Sequence, residues 1–168
     1  MYGKSYKTIT REATIEETVL FAYADIGELA DEMGEWRDNL EEKFSNTQKY
    51  SDVEEVASAL EEYREEPSAL DEARQYFDGI TVEYDIGVKK DGRSVPSRGA
   101  RLGNAVSMLS SVADYLEMRI DNTDPEKPAR GETAEGLRDE IAALEGLRDS
   151  LQDTIDNIEG VNFPGMFG

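Results

Sequence analysis

The sequence predicts a mainly α-helical bundle, or long helical hairpin, with a small β-hairpin or sheet inserted around residues 80–96. Two observations carry this prediction. Apolar residues recur at steps of three and four through several long segments, the period of a helix that buries one stripe. One stretch alone, from Ile80 to Lys89, alternates strictly between apolar and polar, the period of a half-buried strand. A third feature limits how such a fold is held: the 168 residues include no Cys and no His. Packing must therefore do the work without disulfides or Cys/His zinc.

The first helix is predicted from Thr14 to Phe44. Its stripe is Ile15, Val19, Tyr23, Ile26, Leu29, Met33, Trp36, Leu40 and Phe44, and its opposite face carries Glu28, Asp31, Glu32, Glu35, Asp38 and Glu42. Gly27 and Gly34 flank the stripe, where glycine costs roughly 1 kcal/mol of helix propensity, so close approach of another backbone is expected there. Ser51-Asp52-Val53-Glu54 has the form of a capping box and predicts the start of a second helix that Pro67 ends. A short helix from Ser68 to about Phe77 is stopped by Asp78-Gly79. The strand follows, and it needs a partner to satisfy its backbone. One candidate is a return through Ser94-Val95 after the Asp91-Gly92 turn signal. The other is the N-terminal segment Lys4–Thr10.

The fourth helix is predicted from about Gly99 to Ile120, with Leu102, Ala105, Val106, Leu109, Val112, Ala113, Leu116 and Ile120 inward. A Pro-rich connector of residues 121–132 leads to a last helix starting near Thr133. There Leu137, Ile141, Leu144, Leu151, Ile155 and Ile158 read as a heptad seam, with Arg148 at its one missing position. The tail carries Phe163 and Phe167, suited to docking on the core, a second subunit or a partner. Two regions are expected, residues 1–125 with the small β element and residues 126–168 as a long helix with its aromatic tail. The second packs on the first or on another subunit, and homo-oligomerisation is expected from the seam and tail residues Leu137, Ile141, Leu144, Leu151, Ile155, Phe163 and Phe167.

Charge narrows the function. The net charge is −20, from 38 acidic and 18 basic residues. It is uneven: +3 over residues 1–11, −16 over 12–78, neutral over 79–130 and −7 over 131–168. So negative a molecule is not expected to bind bulk nucleic acid or an anionic membrane. No apolar run approaches the ~20 residues of a membrane span, and the opening residues MYGKSYKTIT have no signal-peptide core. The expected setting is therefore that of a soluble intracellular-type protein. No nucleophile and base assemble from the motifs, so no catalytic residue and no cofactor are expected.

The acidic face of the first helix is the leading candidate site. Seven carboxylates between Glu28 and Glu42 give about one charge per 3 Å at ~1.5 Å per residue. That is close to the ~3.4 Å spacing of phosphates along one DNA strand. A basic protein or a nucleic-acid enzyme is the natural partner of such a surface; a plain solvated or salt-adapted helix face is the alternative. Glu32-x-x-Glu35 and Asp52-x-x-Glu55 are pairs that hard cations such as Mg²⁺ favour, and they faintly resemble the motifs of all-α nucleotide pyrophosphatases, with Asp and Glu reversed in the second pair. Arg98 and Arg101 oppose the dipole at the start of the fourth helix, so an anion is expected beside them, either a bound phosphate or a carboxylate from the acidic helices.

The stretch from Glu28 to Glu62, above all Glu35-Trp-Arg-Asp-Asn-Leu-Glu-Glu-Lys-Phe44 followed by Tyr50, Val53, Ala57 and Leu60, resembles a segment of uncharacterised acidic helical proteins of tailed phages. The resemblance implies a viral setting and brings no site residues with it. The expectation is a non-enzymatic phage-type protein that binds a macromolecule through an acidic helical surface, as an inhibitor, DNA mimic or anti-defence factor. The alternatives are a self-assembling virion or scaffold protein and a Mg²⁺-dependent pyrophosphatase.

Overall fold

The computed structural model describes residues 5–165. Strand β1 (Tyr6–Thr14) runs without a loop into helix α1 (Ile15–Phe44), followed by α2 (Gln48–Glu62) and the short α3 (Ala69–Ala73), which tightens into a 3₁₀ turn, Arg74–Tyr76. Strand β2 (Thr81–Lys89), α4 (Arg98–Asp121) and α5 (Ala134–Ile158) complete the elements of the described residues. The fold is mainly helical with one two-stranded antiparallel sheet. Among the described residues no helix is long and apolar enough to cross a membrane.

Thr14 makes the change from strand to helix. Its Oγ1 accepts the Glu17 amide at 3.1 Å, and the Glu17 carboxylate accepts the Thr14 amide at 3.3 Å. This reciprocal pair satisfies two backbone donors that the first helical turn leaves open. The second helix corrects the sequence reading: α2 begins one turn before Ser51, where the Thr47 side chain accepts the Tyr50 amide at 3.2 Å. Ser51 and Glu54 lie inside the helix, so the apparent box is a chance match to its pattern. Only residues 45–47 separate α1 from α2, which folds them back on each other as a helical hairpin.

The core runs along α1, whose Ile15, Val19, Ala22, Ile26, Leu29 and Met33 are fully buried. Helix α1 packs against α2 and α4; α5 packs against α4 and α3. Both glycines of α1 are explained differently from expectation. A side chain at Gly27 would meet the Arg64 guanidinium at 3.5 Å and one at Gly34 would meet Arg37 at 3.8 Å. These are ordinary contact distances to flexible side chains, and no backbone approaches.

The predicted heptad seam also shifts. Leu144, Leu147, Leu151 and Ile158 are fully buried, with Leu137, Thr154 and Ile155 nearly so and Ile141 half-buried. A straight helix repeats every 3.6 residues rather than 3.5, so Leu147 takes the inward place assigned to Arg148. Arg148 turns aside and donates to Glu117 of α4 at 2.7 Å. Leu144, Leu151 and Ile155 belong to the chain's own core, so this part of the seam packs on the same domain, one of the two arrangements expected for the last helix. One buried polar contact joins α1 to α5, between the Tyr23 hydroxyl and Thr154 Oγ1 at 2.7 Å.

Of the two candidate partners for the strand, the N-terminal segment is the one used. The register pairs Tyr6 with Lys89, Ile9 with Ile86 and Thr14 with Thr81. Asp91 and Gly92 (φ +70°) do turn the chain, but it runs on towards Ser97 without forming a return strand. The far edge of β2 is sealed by α4. The Asn104 side chain accepts the Gly87 amide at 2.8 Å and donates to the Gly87 carbonyl at 3.0 Å. Ser107 donates to the Asp85 carbonyl at 2.6 Å.

Candidate partner-binding surface

The six carboxylates assigned to the outer face of α1 divide into two groups. Asp31 receives both ends of the Arg64 guanidinium, at 2.8 and 3.3 Å, and the same group holds Glu61 at 2.8 Å. Glu32 is only half-exposed. It accepts from Arg98 Nε at 3.1 Å and from Arg101 Nη2 at 2.8 Å, and Glu28 stands 3.9 Å from Arg101. Arg101 then Arg98 hold the Glu32 carboxyl below the usual carboxylate range, against the push of burial. Glu35, Asp38 and Glu42 face solvent; Asp38 takes a bond from its neighbour Arg37 at 3.1 Å. Arginines from α4 and from just past α2 thus neutralise the middle of the stripe and interrupt its phosphate-like spacing.

The anion beside the start of α4 is therefore the Glu32 carboxylate, held by Arg98 and Arg101 together. Trp36 joins this cluster, with Arg98 5.4 Å and Lys49 5.9 Å from its ring centre, within the range of cation–π attraction. The Mg²⁺ reading loses Glu32 to the same two arginines, and among the described residues no three Asp or Glu side chains gather to hold a metal.

One carboxylate in this region is a burden. Burial, and then the neighbouring Glu28, push Asp25 up to about 6, while Arg101 pulls the other way. A carboxyl raised in the folded state favours folding fully below its unfolded value of 3.8 and loses that contribution as pH rises through about 6. Near neutrality the ionised Asp25 therefore destabilises. Asp25→Asn should raise the unfolding free energy by about 1 kcal/mol at pH 7, allowing for its partial exposure to solvent. The gain should vanish near pH 3.5 in denaturant titrations, and a loss of stability at pH 7 would contradict the assignment.

A different surface brings carboxylates together with no ion pair among the described residues. Asp52, Glu55, Val56 and Ala59 share one face of α2 by their three- and four-residue spacing. They line a groove of about 600 Å³ with Asp156 and Asn157 of α5 and the returning segment Gly160–Pro164. The chain leaves α5 through a turn from Val161 N to Ile158 O at 3.1 Å, and Phe163 packs half-buried against the core. Lys49 donates to the Gly165 carbonyl and ties this segment to α2. Phe167, also offered as a docking residue, lies outside the described residues.

Asp52 and Asp156 accept only amide hydrogen bonds, from Gln48 at 2.7 Å and Gln152 at 3.0 Å. Among the described residues no Lys or Arg comes within 4.0 Å of Asp52, Glu55 or Asp156. The negative field continues along α2 and α5. Desolvation and then Asp153 and Glu62 push the Tyr63 phenol up. Tyr23 is pushed up to about 12, mainly by burial, with Asp153 and Glu66 adding to it. Sequence reasoning had these parts separately, the α2 pair as a metal motif and the tail as a docking element. Their meeting depends on how α5 lies beside α2, which no local pattern encodes. Comparison with protein-family models, curated proteins and solved structures returned no match.

Proposed function

We propose that this chain acts by binding, without catalysis, a basic segment of a partner protein, in a phage-type setting such as the inhibition of a host defence or nucleic-acid enzyme. The observation that carries the reading is the α2–α5 groove: an apolar wall of Val56, Val161 and Phe163 beside the uncompensated carboxylates Asp52, Glu55 and Asp156. Its volume falls in the usual range of binding pockets, ~300–1,000 Å³. A basic amphipathic helix matches both properties, apolar residues on one side and Lys or Arg on its edges. Long-range attraction from a net charge of −20 speeds the encounter and makes it salt-dependent. The α1 stripe contributes to that field, but with Asp31 and Glu32 already paired it is a weaker copy of a phosphate row than its spacing implies. Among the described residues, the seam that the self-assembly alternative relied on packs within the chain's own core.

The test is a titration with a helical peptide of alternating Leu and Lys faces, followed by calorimetry at 10 mM and 1 M salt. Across that range the screening length falls from ~30 to ~3 Å. Binding at low salt, weakened about tenfold or more by Glu55→Lys with Asp156→Lys, is expected; Glu35→Lys with Glu42→Lys should change it less than threefold. A larger loss from the second pair would return the site to α1, and equal losses would reduce the binding to diffuse attraction; either outcome overturns the groove assignment. Absence of binding at low salt would overturn the proposal.

A further inference from the structure

The two edges of the sheet are not alike. Gly87 turns both its amide and its carbonyl to Asn104, so the Thr8–Gly87 pair is one that exchanges no backbone bonds. The bonds from Lys90 N to Ser5 O and from Ile15 N to Ile80 O fix the same alternation at both ends. Odd-numbered residues of β1 therefore bond to β2, and the backbone groups of Thr8, Thr10 and Glu12 point away from it. Among the described residues nothing bonds to those outward groups. The far edge of β2 is closed by α4, whereas that of β1 is open, and an open edge is a template for a further strand.

We propose that β1 is a docking edge for an extended acidic segment of another protein, which adds to the sheet as a third strand. This surface is separate from the groove and does not depend on it. Charge chooses the occupant. Lys7 and Arg11 sit four residues apart on one face of β1, both exposed, with Ile9 half-buried between them. Among the described residues no carboxylate lies within 4.0 Å of Lys7, Arg11 or the nearby Lys90, in a chain otherwise crowded with acid. Residues opposite one another across a strand pair face the same side. The matching segment accordingly carries two carboxylates four residues apart with an apolar residue midway, set against Lys7, Ile9 and Arg11. A second copy of β1 fits badly, because antiparallel pairing centred on Ile9 sets Lys7 against Arg11.

The probe is an acetylated heptapeptide of threonines with glutamate at its second and sixth positions and valine at its fourth. Measurements belong at physiological salt, where screening over ~8 Å leaves the local cations and mutes the distant acidic helices. Amide hydrogen exchange should show Thr8, Thr10 and Glu12 exchanging quickly in the free protein and becoming protected with peptide, while Ile9 and Arg11 are protected throughout. Thr8→Pro removes an outward amide and leaves the β1–β2 ladder intact. It should weaken binding about tenfold or more with an unchanged melting temperature. Lys7→Glu with Arg11→Glu should transfer the preference to the lysine version of the peptide. Absence of binding, binding that leaves the three amides unprotected, or a dimer joined through β1 in sedimentation would each overturn the proposal.

Discussion

Leu151→Ala should lower the unfolding free energy by about 3 kcal/mol, with a melting temperature that does not depend on protein concentration. Leu151 is fully buried, and the same core holds Leu144, Leu147 and Ile158 of α5 together with α4 residues such as Leu109 and Leu116. Removing a buried leucine side chain forfeits its transfer free energy and leaves a cavity, roughly 2–5 kcal/mol together. In a domain of this size the melting point should fall by on the order of 10 °C. The concentration series distinguishes two meanings of one apolar pattern. A seam shared between subunits ties folding to association, so its stability rises with concentration. A seam spent inside one chain does not. A strong concentration dependence, abolished by the substitution, would show that α5 pairs between molecules.

Asn104→Ala should cost about 2 kcal/mol, out of proportion to the small apolar area lost. Asn104 is buried in α4 and satisfies both backbone groups of Gly87, which is itself buried. The substitution strands an amide and a carbonyl away from water, and each stranded group costs about 1–3 kcal/mol less whatever relaxation recovers. Hydrogen exchange at Gly87 should accelerate more than at Ile86, whose backbone groups face β1. Unchanged exchange at Gly87 would mean that water replaces the side chain and that the edge is less sealed than its geometry implies. The comparison bears on β1 as well: the asymmetry between a sealed and an open edge rests on Asn104 together with the bond from Ser107 to the Asp85 carbonyl.

The charges follow the same division between local pattern and three-dimensional arrangement. The stripe on α1 is visible in sequence because carboxylates at three- and four-residue steps share a helix face. Its neutralisation is not visible, because Arg64 and Arg101 reach Asp31 and Glu32 across 33 and 69 residues of chain. The expectation of an anion beside Arg98 and Arg101 follows from a helix dipole. Identifying that anion as Glu32 requires α4 to lie against α1. The groove is a still clearer case, since Asp52 and Asp156 become neighbours only when α5 returns beside α2.

The helices, the one strand and the crowding of acid on the helical surface are determined by the sequence itself. They rest on periodicity and composition, which act between residues three, four or two apart. Helix boundaries were less legible: the local pattern starts the second helix at Ser51, whereas the Thr47 side chain is the one that caps it. Tertiary structure alone decided that β2 pairs with the N-terminus, that Leu147 rather than Arg148 faces inward, and which carboxylates stay unpaired. The physical reason is common to all three. Burial and ion pairing are settled between elements distant in the chain, and many such arrangements are compatible with the same local pattern.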